Sequence, residues 1–226
     1  MIEELLPDTV VAVEAYGTDE AGDSPLYPGE EPYVAQAVAK RRREYATVRA
    51  CARRAMEKLG VPPQAILPGE RGAPRWPEGL AGSMTHCTGY CAAALVRAGD
   101  LASLGIDAEP HGPLPDGVLE AVALPTERDR LRRLAADRPE VRWDRLLFSA
   151  KESVYKAWFP LTGQWLEFSE ADIDLTIDPG EEPRGRFRAE LLVPGPLLGD
   201  HRVGHFEGRW TVSRGLVATA VTVPHA

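Results

Sequence analysis

The chain has 226 residues, and 26 Lys and Arg against 34 Asp and Glu give a net charge of −8, so the protein is acidic. This length supports a sizeable core in one large or two small domains. No apolar run approaches the ~20 residues of a membrane span. The start MIEELLPDTVV has no basic, signal-like character, and three cysteines without framework spacing fit a reducing compartment, so we expect a cytoplasmic protein without membrane attachment.

The first part of the chain predicts strands around one long helix. Alternating residues predict a strand at 9–16, and the Gly-, Pro- and acid-rich stretch 17–32 predicts a loop. A helical pattern runs over 33–59 and is followed directly by glycine and proline stop signals. Two strands are predicted within 81–97, separated at a Thr-Gly pair, and another at 104–109.

The second part predicts helices followed by strands. Pro160 is expected to end the last helix, and Arg214-Gly215 to turn the final hairpin. The predicted helices span 116–123, 126–137 and 141–159, and the predicted strands span 171–177, 186–193, 206–213 and 216–223.

This order of elements predicts an α+β fold. A strand, a long helix and further strands come first, and helices and strands then follow again. We therefore expect two similar α+β halves with pseudo-twofold symmetry, 1–104 and 105–226. A functional site is expected in the cleft where the halves meet.

The stretch FSAKESVYKAW, from Phe148 to Trp158, places charges among large apolar residues of a helix. Glu152 and Lys156 are four residues apart and share one face, which Tyr155 flanks. Such a face is either a solvated ion pair beside half-exposed aromatic rings or the wall of a covered site. The opposite face predicts a core contact, made by Trp143, Leu146, Leu147, Ala150, Val154, Ala157 and Trp158.

Two more carboxylates lie in the strand GIDAEP. Asp107 and Glu109 point to the same side, about 6–7 Å apart along the strand. They are either solvated acids of an edge strand or ligands of a cation, and oxygen ligands favour Mg²⁺, Mn²⁺ or Ca²⁺. If the helix packs against this strand, Glu152 adds a third carboxylate, and Lys151 and Lys156 can neutralise phosphate oxygens.

Basic residues on the long helix provide further candidates for binding an anion. Arg41 falls in a gap of the apolar stripe, and Arg49 borders it, which is an arrangement that favours a bound anion. His86 is either a structural histidine or a phosphate contact. No nucleic-acid-binding motif accompanies the basic run, so we expect no nucleic-acid partner. The stripe comprises Val34, Val38, Tyr45, Val48, Ala52, Ala55 and Leu59.

Five segments together resemble the 4′-phosphopantetheinyl transferases of the Sfp/EntD type, most closely their actinobacterial members. The pair G-I-D-x-E and K-E-S-x-Y-K, about forty residues apart, is the most specific part of this resemblance. The segments cover about half of the chain in the order of the family. They are KRRREYATVRACARRAM (40–56), GERGAPRWP (69–77), GSMTHCTGYCAAAL (82–95), GIDAEP (105–110) and FSAKESVYKAWFPLT (148–162).

The resemblance implies a fold of two α+β halves with coenzyme A bound in the cleft between them. It implies Mg²⁺-dependent transfer of the 4′-phosphopantetheine arm of coenzyme A to a serine hydroxyl of apo acyl or peptidyl carrier proteins. The other product is adenosine 3′,5′-bisphosphate. Mn²⁺ is an alternative metal, and we expect a monomer.

The resemblance also assigns roles to individual residues. Asp107, Glu109 and Glu152 are the implied Mg²⁺ ligands, and Asp107 and Glu152 are implied in catalysis, with Glu152 as the candidate base. Lys156 is implied to stabilise or protonate the leaving phosphate. The remaining implied contacts to coenzyme A are Arg41, Arg49, Ser83, Thr85, His86 and Lys151. Some relatives carry a lysine where this chain has Pro68, and Arg71 is the implied replacement for that lysine.

Two other functions remain open at this point. One is another Mg²⁺-dependent phosphotransferase or phosphohydrolase that uses the same three acids. The other is a non-catalytic protein that holds coenzyme A or a carrier protein. The presence of all three acids and both lysines argues against a degenerate, non-catalytic member.

Overall fold

The computed structural model describes residues 1–17 and 25–226, and its first part is a three-stranded antiparallel sheet covered by one long helix. The strands lie in the order β1-β3-β2. Their buried side chains, such as Ala93 and Leu95, pack against Ala52 and Met56 of the helix. The elements are β1 (Val11–Tyr16), α1 (Ala39–Lys58), β2 (Leu80–Cys87) and β3 (Tyr90–Arg97).

The second part is a five-stranded antiparallel sheet with another 20-residue helix, α4, on one face. The strand order is β4-β10-β9-β6-β5, and β7 and β8 form a separate two-stranded hairpin. The elements are β4 (Ser103–Pro110), α2 (Val118–Val122), α3 (Pro125–Asp137), α4 (Trp143–Thr162), β5 (Ala171–Ile177), β6 (Arg184–Leu191), β7 (Leu197–Leu198), β8 (His201–Arg202), β9 (His205–Ser213) and β10 (Leu216–Val223).

Side-chain hydroxyls join the two sheets where β2 meets β4. The backbone N–H of Ile106 donates to Ser83 Oγ at 3.0 Å, and that of Ala108 donates to Thr85 Oγ1 at 3.1 Å. β4 is the edge strand of its sheet, so these hydroxyls satisfy backbone groups that would otherwise be buried without partners. An apolar cluster with members from both parts closes the junction beside them.

Helix α4 approaches β4 very closely at Gly105. A Cβ atom at this position would lie 2.0 Å from the carbonyl oxygen of Ser153 and 2.7 Å from the amide nitrogen of Ala157. Only glycine permits this contact. The close approach brings the face of α4 that carries Glu152 and Lys156 over the acidic residues of β4.

The structure confirms the α+β fold class, with a sheet and a long helix in each part. It also confirms the predicted core face of α4, whose seven members are all buried. The final hairpin turns where predicted, with positive φ at Arg214 and Gly215, as a two-residue turn requires. The division at residue 104 stays a prediction; its boundary falls inside β4.

Three details of the predicted elements are wrong. α1 begins at Ala39 rather than residue 33, because Val38 is extended and 73% exposed, so Val38 does not belong to the apolar stripe. Pro160 does not end α4, since a proline removes one N–H but keeps a helical φ. The last helical residue is Thr162, and Gly163 follows it in a left-handed conformation, with its N–H donating to Phe159 O. The short hairpin of β7 and β8 was not predicted.

Residues 18–24 of the predicted loop 17–32 lie outside the described residues. The end of this loop forms a short 3₁₀ turn, Glu31–Val34. Among the helices that the structure describes, none has both the length and the apolar character needed to cross a bilayer.

We predict that Gly105→Ala separates α4 from β4. The added methyl group meets helix backbone rather than a movable side chain, so the unfolding free energy should fall by about 3 kcal/mol or more. Urea unfolding measures this loss. Gly99→Ala is the matched control, because a Cβ there meets nothing within 4 Å, and its stability should stay within about 0.5 kcal/mol of the wild type. Equal stability of the two variants would contradict the packing described here.

Candidate functional site

A cleft with a cavity of about 540 Å³ lies between the two parts of the molecule. Its walls come from α1, the loop around residues 68–76, β2 and α4. Aromatic side chains, including Trp76, Tyr155 and Phe159, form much of the wall, and charged residues gather at two places along it. The cleft is therefore suited to a long ligand with charged groups and an apolar portion.

The first charged group is centred on Asp107, which is buried. Its Oδ1 accepts hydrogen bonds from Lys156 Nζ at 2.8 Å and Thr85 Oγ1 at 3.3 Å. Lys156 Nζ also donates to Ile106 O at 3.0 Å, which leaves one of its three donors unused within the described residues. The other oxygen, Asp107 Oδ2, is buried and has no hydrogen-bond partner among the described residues.

Two further carboxylates lie near Asp107. Burial raises the pKa of Glu109, the neighbouring Asp107 raises it further, and Arg145 opposes the shift from 3.1 Å. Burial also raises the pKa of Glu152, where Lys156 opposes the shift and Asp107 adds to it. Asp107 therefore repels both Glu109 and Glu152 in a place where water is scarce, which is an environment that a cation would stabilise.

The fit of this group to a metal ion depends on Asp107 and Glu152. Within residues 1–17 and 25–226, no three His, Cys, Asp or Glu side chains stand close enough to hold a metal as they are placed. Glu109 instead pairs with Arg145. Mg²⁺, however, commonly takes only one or two protein carboxylates together with substrate phosphates and water. The free oxygen of Asp107 fits such a cation, and the complete three-ligand set stays a prediction.

The second charged group lies where α1 faces β2. Arg41 is exposed, and its Nη1 contacts Nε2 of His86. Burial lowers the pKa of His86, and the positive charges of Arg41 and Lys156 lower it further. A neutral imidazole accepts from Arg41 and keeps a donor for another partner. Both residues line the cleft, and their contact with phosphates of coenzyme A stays a prediction.

Arg49 also lines the cleft but is anchored by the protein. It is 4% exposed, and its Nε donates to Ile66 O at 2.9 Å, with the Glu30 carboxylate 3.9 Å away. Its Nη2 makes no hydrogen bond within the described residues. The guanidinium is therefore held in one orientation with a donor still available for an anion.

Several predicted contacts have supporting positions instead. Ser83 lines the cleft, but its hydroxyl is bound to β4, and Thr85 holds Asp107 and β4 rather than lining the cavity. Arg71 lines the cavity, and its guanidinium lies 5.3 Å from the ring centroid of Trp165. Arg71 thus connects the loop 68–76 to Trp165, which follows α4 and does not line the cleft.

Lys151 is not brought into this cleft. It is 3% exposed, and its Nζ donates to Phe168 O at 2.6 Å and Ala171 O at 3.0 Å. It also forms a buried ion pair with Glu127 of α3 at 2.9 Å. One residue along a helix turns the side chain by about 100°, so Lys151 faces β5 and α3 while Glu152 faces the cleft.

Sequence reasoning missed Arg145 and Glu30. Arg145 precedes Glu152 by seven residues, which is two helical turns, so both lie on one face of α4. This spacing could have indicated from the sequence that Arg145 lies near the acidic residues. Glu30 is fully buried and binds Arg53 at 3.0 Å and the N–H of Ile66 at 2.8 Å. Nothing in the local pattern of the predicted loop indicated that this acid is buried.

Comparisons with known proteins agree with the motifs. A model of the 4′-phosphopantetheinyl transferase N-terminal domain matches residues 29–96, and a model of the 4′-phosphopantetheinyl transferase superfamily matches residues 103–211. The 4′-phosphopantetheinyl transferase Svp of Streptomyces mobaraensis is 59% identical over 225 residues, which are 99% of this chain and 89% of that protein. PptT of Mycobacterium tuberculosis is 48% identical (99% and 98% covered), and Npt of Nocardia iowensis is 47% identical (98% and 99% covered). Both carry the same enzyme name.

We predict that Lys151→Met destabilises the protein without weakening coenzyme A binding much. The change leaves Glu127 buried without its cation, and the expected loss is about 3–5 kcal/mol of unfolding free energy. Adding Glu127→Gln should recover part of it, because the amide is uncharged and its oxygen still accepts from one of the two backbone N–H groups that bind Glu127. Denaturant unfolding measures the unfolding free energy. Titration calorimetry at low temperature, where the variant stays folded, measures the affinity for coenzyme A. A large loss of affinity at unchanged stability would instead place Lys151 at the ligand.

Proposed function

The chain belongs to the 4′-phosphopantetheinyl transferase superfamily, and we propose that its cleft transfers the 4′-phosphopantetheine arm of coenzyme A to a serine hydroxyl of apo acyl or peptidyl carrier proteins. The observation that carries this proposal is the arrangement of Asp107, Lys156 and Glu152 at one end of a cleft that also contains Arg41, Arg49 and His86. This arrangement supplies cations for phosphates, an acid for a metal and a base for the acceptor.

Coenzyme A fits the distribution of charge along the cleft. Its pyrophosphate needs neutralising charge at the reacting end, where Lys156 has one free donor. Its nucleotide end suits the wall formed by the cationic Arg41 and Arg49 and the neutral imidazole of His86. The aromatic wall near Tyr155 and Phe159 suits the extended and partly apolar arm. We assign Arg71 to the same ligand, because it lines the cavity between these regions.

The reaction requires the serine oxygen of the carrier to attack the β-phosphorus of coenzyme A. The bond between this phosphorus and the bridging oxygen breaks, so adenosine 3′,5′-bisphosphate leaves. Glu152 takes the serine proton, directly or through one water, because its carboxylate lines the cleft at the end where Lys156 lies. Lys156 stabilises the charge that develops on the leaving phosphate.

We propose Mg²⁺, or Mn²⁺, as the resident metal, held by Asp107 and Glu152, with Glu109 as the third candidate ligand. A metal held by these residues would supply positive charge to neutralise the pyrophosphate. Thr85 and Lys156 both bind Oδ1 of Asp107, and this leaves Oδ2 for the cation. Glu109 joins the set only when it is released from Arg145.

The setting of the enzyme is also proposed. An acidic chain with three free cysteines among the described residues suits a reducing cytoplasm. A monomer is sufficient, because α1, the loop around residues 68–76, β2 and α4 of one chain line the cleft. No partner other than coenzyme A and the carrier protein is needed for the chemistry.

The direct test is intact mass spectrometry of apo carrier proteins mixed with this protein, coenzyme A and Mg²⁺. We expect the carriers to gain the mass of the phosphopantetheine arm. Chelation of the metal should abolish the gain, and Mg²⁺ or Mn²⁺ should restore it. Glu152→Gln should slow transfer about 100-fold or more, since it removes the proposed base and a metal ligand together.

The matched control is Glu57→Gln, which removes an exposed carboxylate on α1 outside the cleft and should leave transfer unchanged. A carrier that gains no mass although coenzyme A binds would favour the non-catalytic binder. Metal-dependent breakdown of coenzyme A without a carrier would favour a phosphohydrolase. Full activity with chelator present would contradict the proposed metal site.

A further inference from the structure

Tyr45 stands in the cleft wall between two arginines of the proposed donor site. It follows Arg41 by four residues on α1 and precedes Arg49 by four, so the three side chains lie on consecutive turns of one helix face. All three line the cleft. The proposed mechanism uses the two arginines and gives Tyr45 no role.

The hydroxyl oxygen of Tyr45 is buried and has no hydrogen-bond partner within the part of the chain that the structure describes. The whole residue is 8% exposed. Buried polar atoms nearly always have partners, and one without a partner destabilises the folded protein. The unpartnered hydroxyl of this cleft-lining residue is explained if its partner arrives with the ligand.

The ring of Tyr45 is held in place. The guanidinium carbon of Arg49 lies 3.2 Å from the ring centroid, and Arg49 Nη1 donates to the carbonyl oxygen of Tyr45 at 3.4 Å. Arg49 is itself fixed by Ile66 O. The ring therefore cannot turn away without displacing a buried arginine, and the hydroxyl is positioned before any ligand binds.

The surroundings define the chemistry of the missing partner. Burial raises the pKa of Tyr45, while the charge of Arg49 opposes the shift, so the hydroxyl keeps its proton at neutral pH and acts as a donor. Arg41 and Arg49 on either side favour an anion over a neutral acceptor. A phosphate oxygen meets both conditions.

Coenzyme A carries two separate phosphate groups, and only one suits this position. Its pyrophosphate must lie at the reacting end, beside Asp107 and Lys156. Its 3′-phosphate is on the ribose, at the nucleotide end that faces Arg41 and Arg49. Resting on the proposed function, we propose that the Tyr45 hydroxyl donates a hydrogen bond to the 3′-phosphate of coenzyme A and thereby favours donors that carry this group.

Tyr45→Phe tests this role by removing one oxygen atom. Calorimetry without a carrier gives the Kd for coenzyme A and for 3′-dephospho-coenzyme A, and thermal unfolding gives the Tm of the ligand-free protein. We expect about tenfold weaker binding of coenzyme A, which is the usual effect of losing one hydrogen bond to a charged group, and less than about twofold change for the dephosphorylated donor. The Tm should rise, because an unpartnered buried hydroxyl is gone.

Tyr90→Phe is the matched control, because it removes another buried tyrosine hydroxyl at a residue that is not part of the cleft lining. It should leave both Kd values unchanged. A merely structural role of Tyr45 would instead lower the Tm of Tyr45→Phe and weaken both donors alike. That result would overturn the proposal. So would unchanged binding of coenzyme A by Tyr45→Phe, or a wild type that does not bind coenzyme A.

The mass test of carrier modification separates this inference from the proposed reaction. Selective loss of coenzyme A affinity in Tyr45→Phe supports donor recognition even if no carrier is modified by the wild type. Normal transfer by the wild type together with identical donor preference in Tyr45→Phe overturns the role of Tyr45 and leaves the transferase proposal intact.

Discussion

The contact between Lys156 and Asp107 is the constraint on which the site depends. It joins α4 to β4 at 2.8 Å, and Thr85 attaches β2 to the same carboxylate. The contact is possible because Gly105 lets the helix backbone lie directly on the strand. Removing either charge would leave the other largely buried and unpaired, which is strongly unfavourable. The pair thus fixes α4 on β4, and Thr85 adds the first part of the molecule to the same end of the cleft.

The cleft also contains polar atoms that the folded protein leaves unsatisfied. Asp107 Oδ2 and the Tyr45 hydroxyl are both buried without partners among the described residues, and both belong to residues at or beside the cavity. Such atoms reduce the stability of the free protein. At a binding site they are useful, because their partners arrive with the ligand and the geometry is ready beforehand.

Much of the fold and part of the site were predictable from the sequence. Alternation and helical spacing identified the main strands and helices and the core face of α4, because these patterns report directly which side of an element is buried. The motifs brought Asp107, Glu152 and Lys156 together correctly. The pairing of Lys151 with Glu127 was not predictable, since one helix pattern cannot show where α3 packs. The hydroxyls of Ser83 and Thr85 accept hydrogen bonds from backbone N–H groups of β4. These contacts were not predictable, because the local sequence does not show where two sheets meet.

A crystal structure with coenzyme A and Mg²⁺ would show whether this cleft binds coenzyme A through the free groups of Asp107, Lys156 and the α1 arginines. We expect a cation on Asp107 Oδ2, the pyrophosphate at Lys156 and the nucleotide end against Arg41 and Arg49. Coenzyme A bound outside this cleft, or bound here with Asp107 Oδ2 still without a partner, would contradict this expectation.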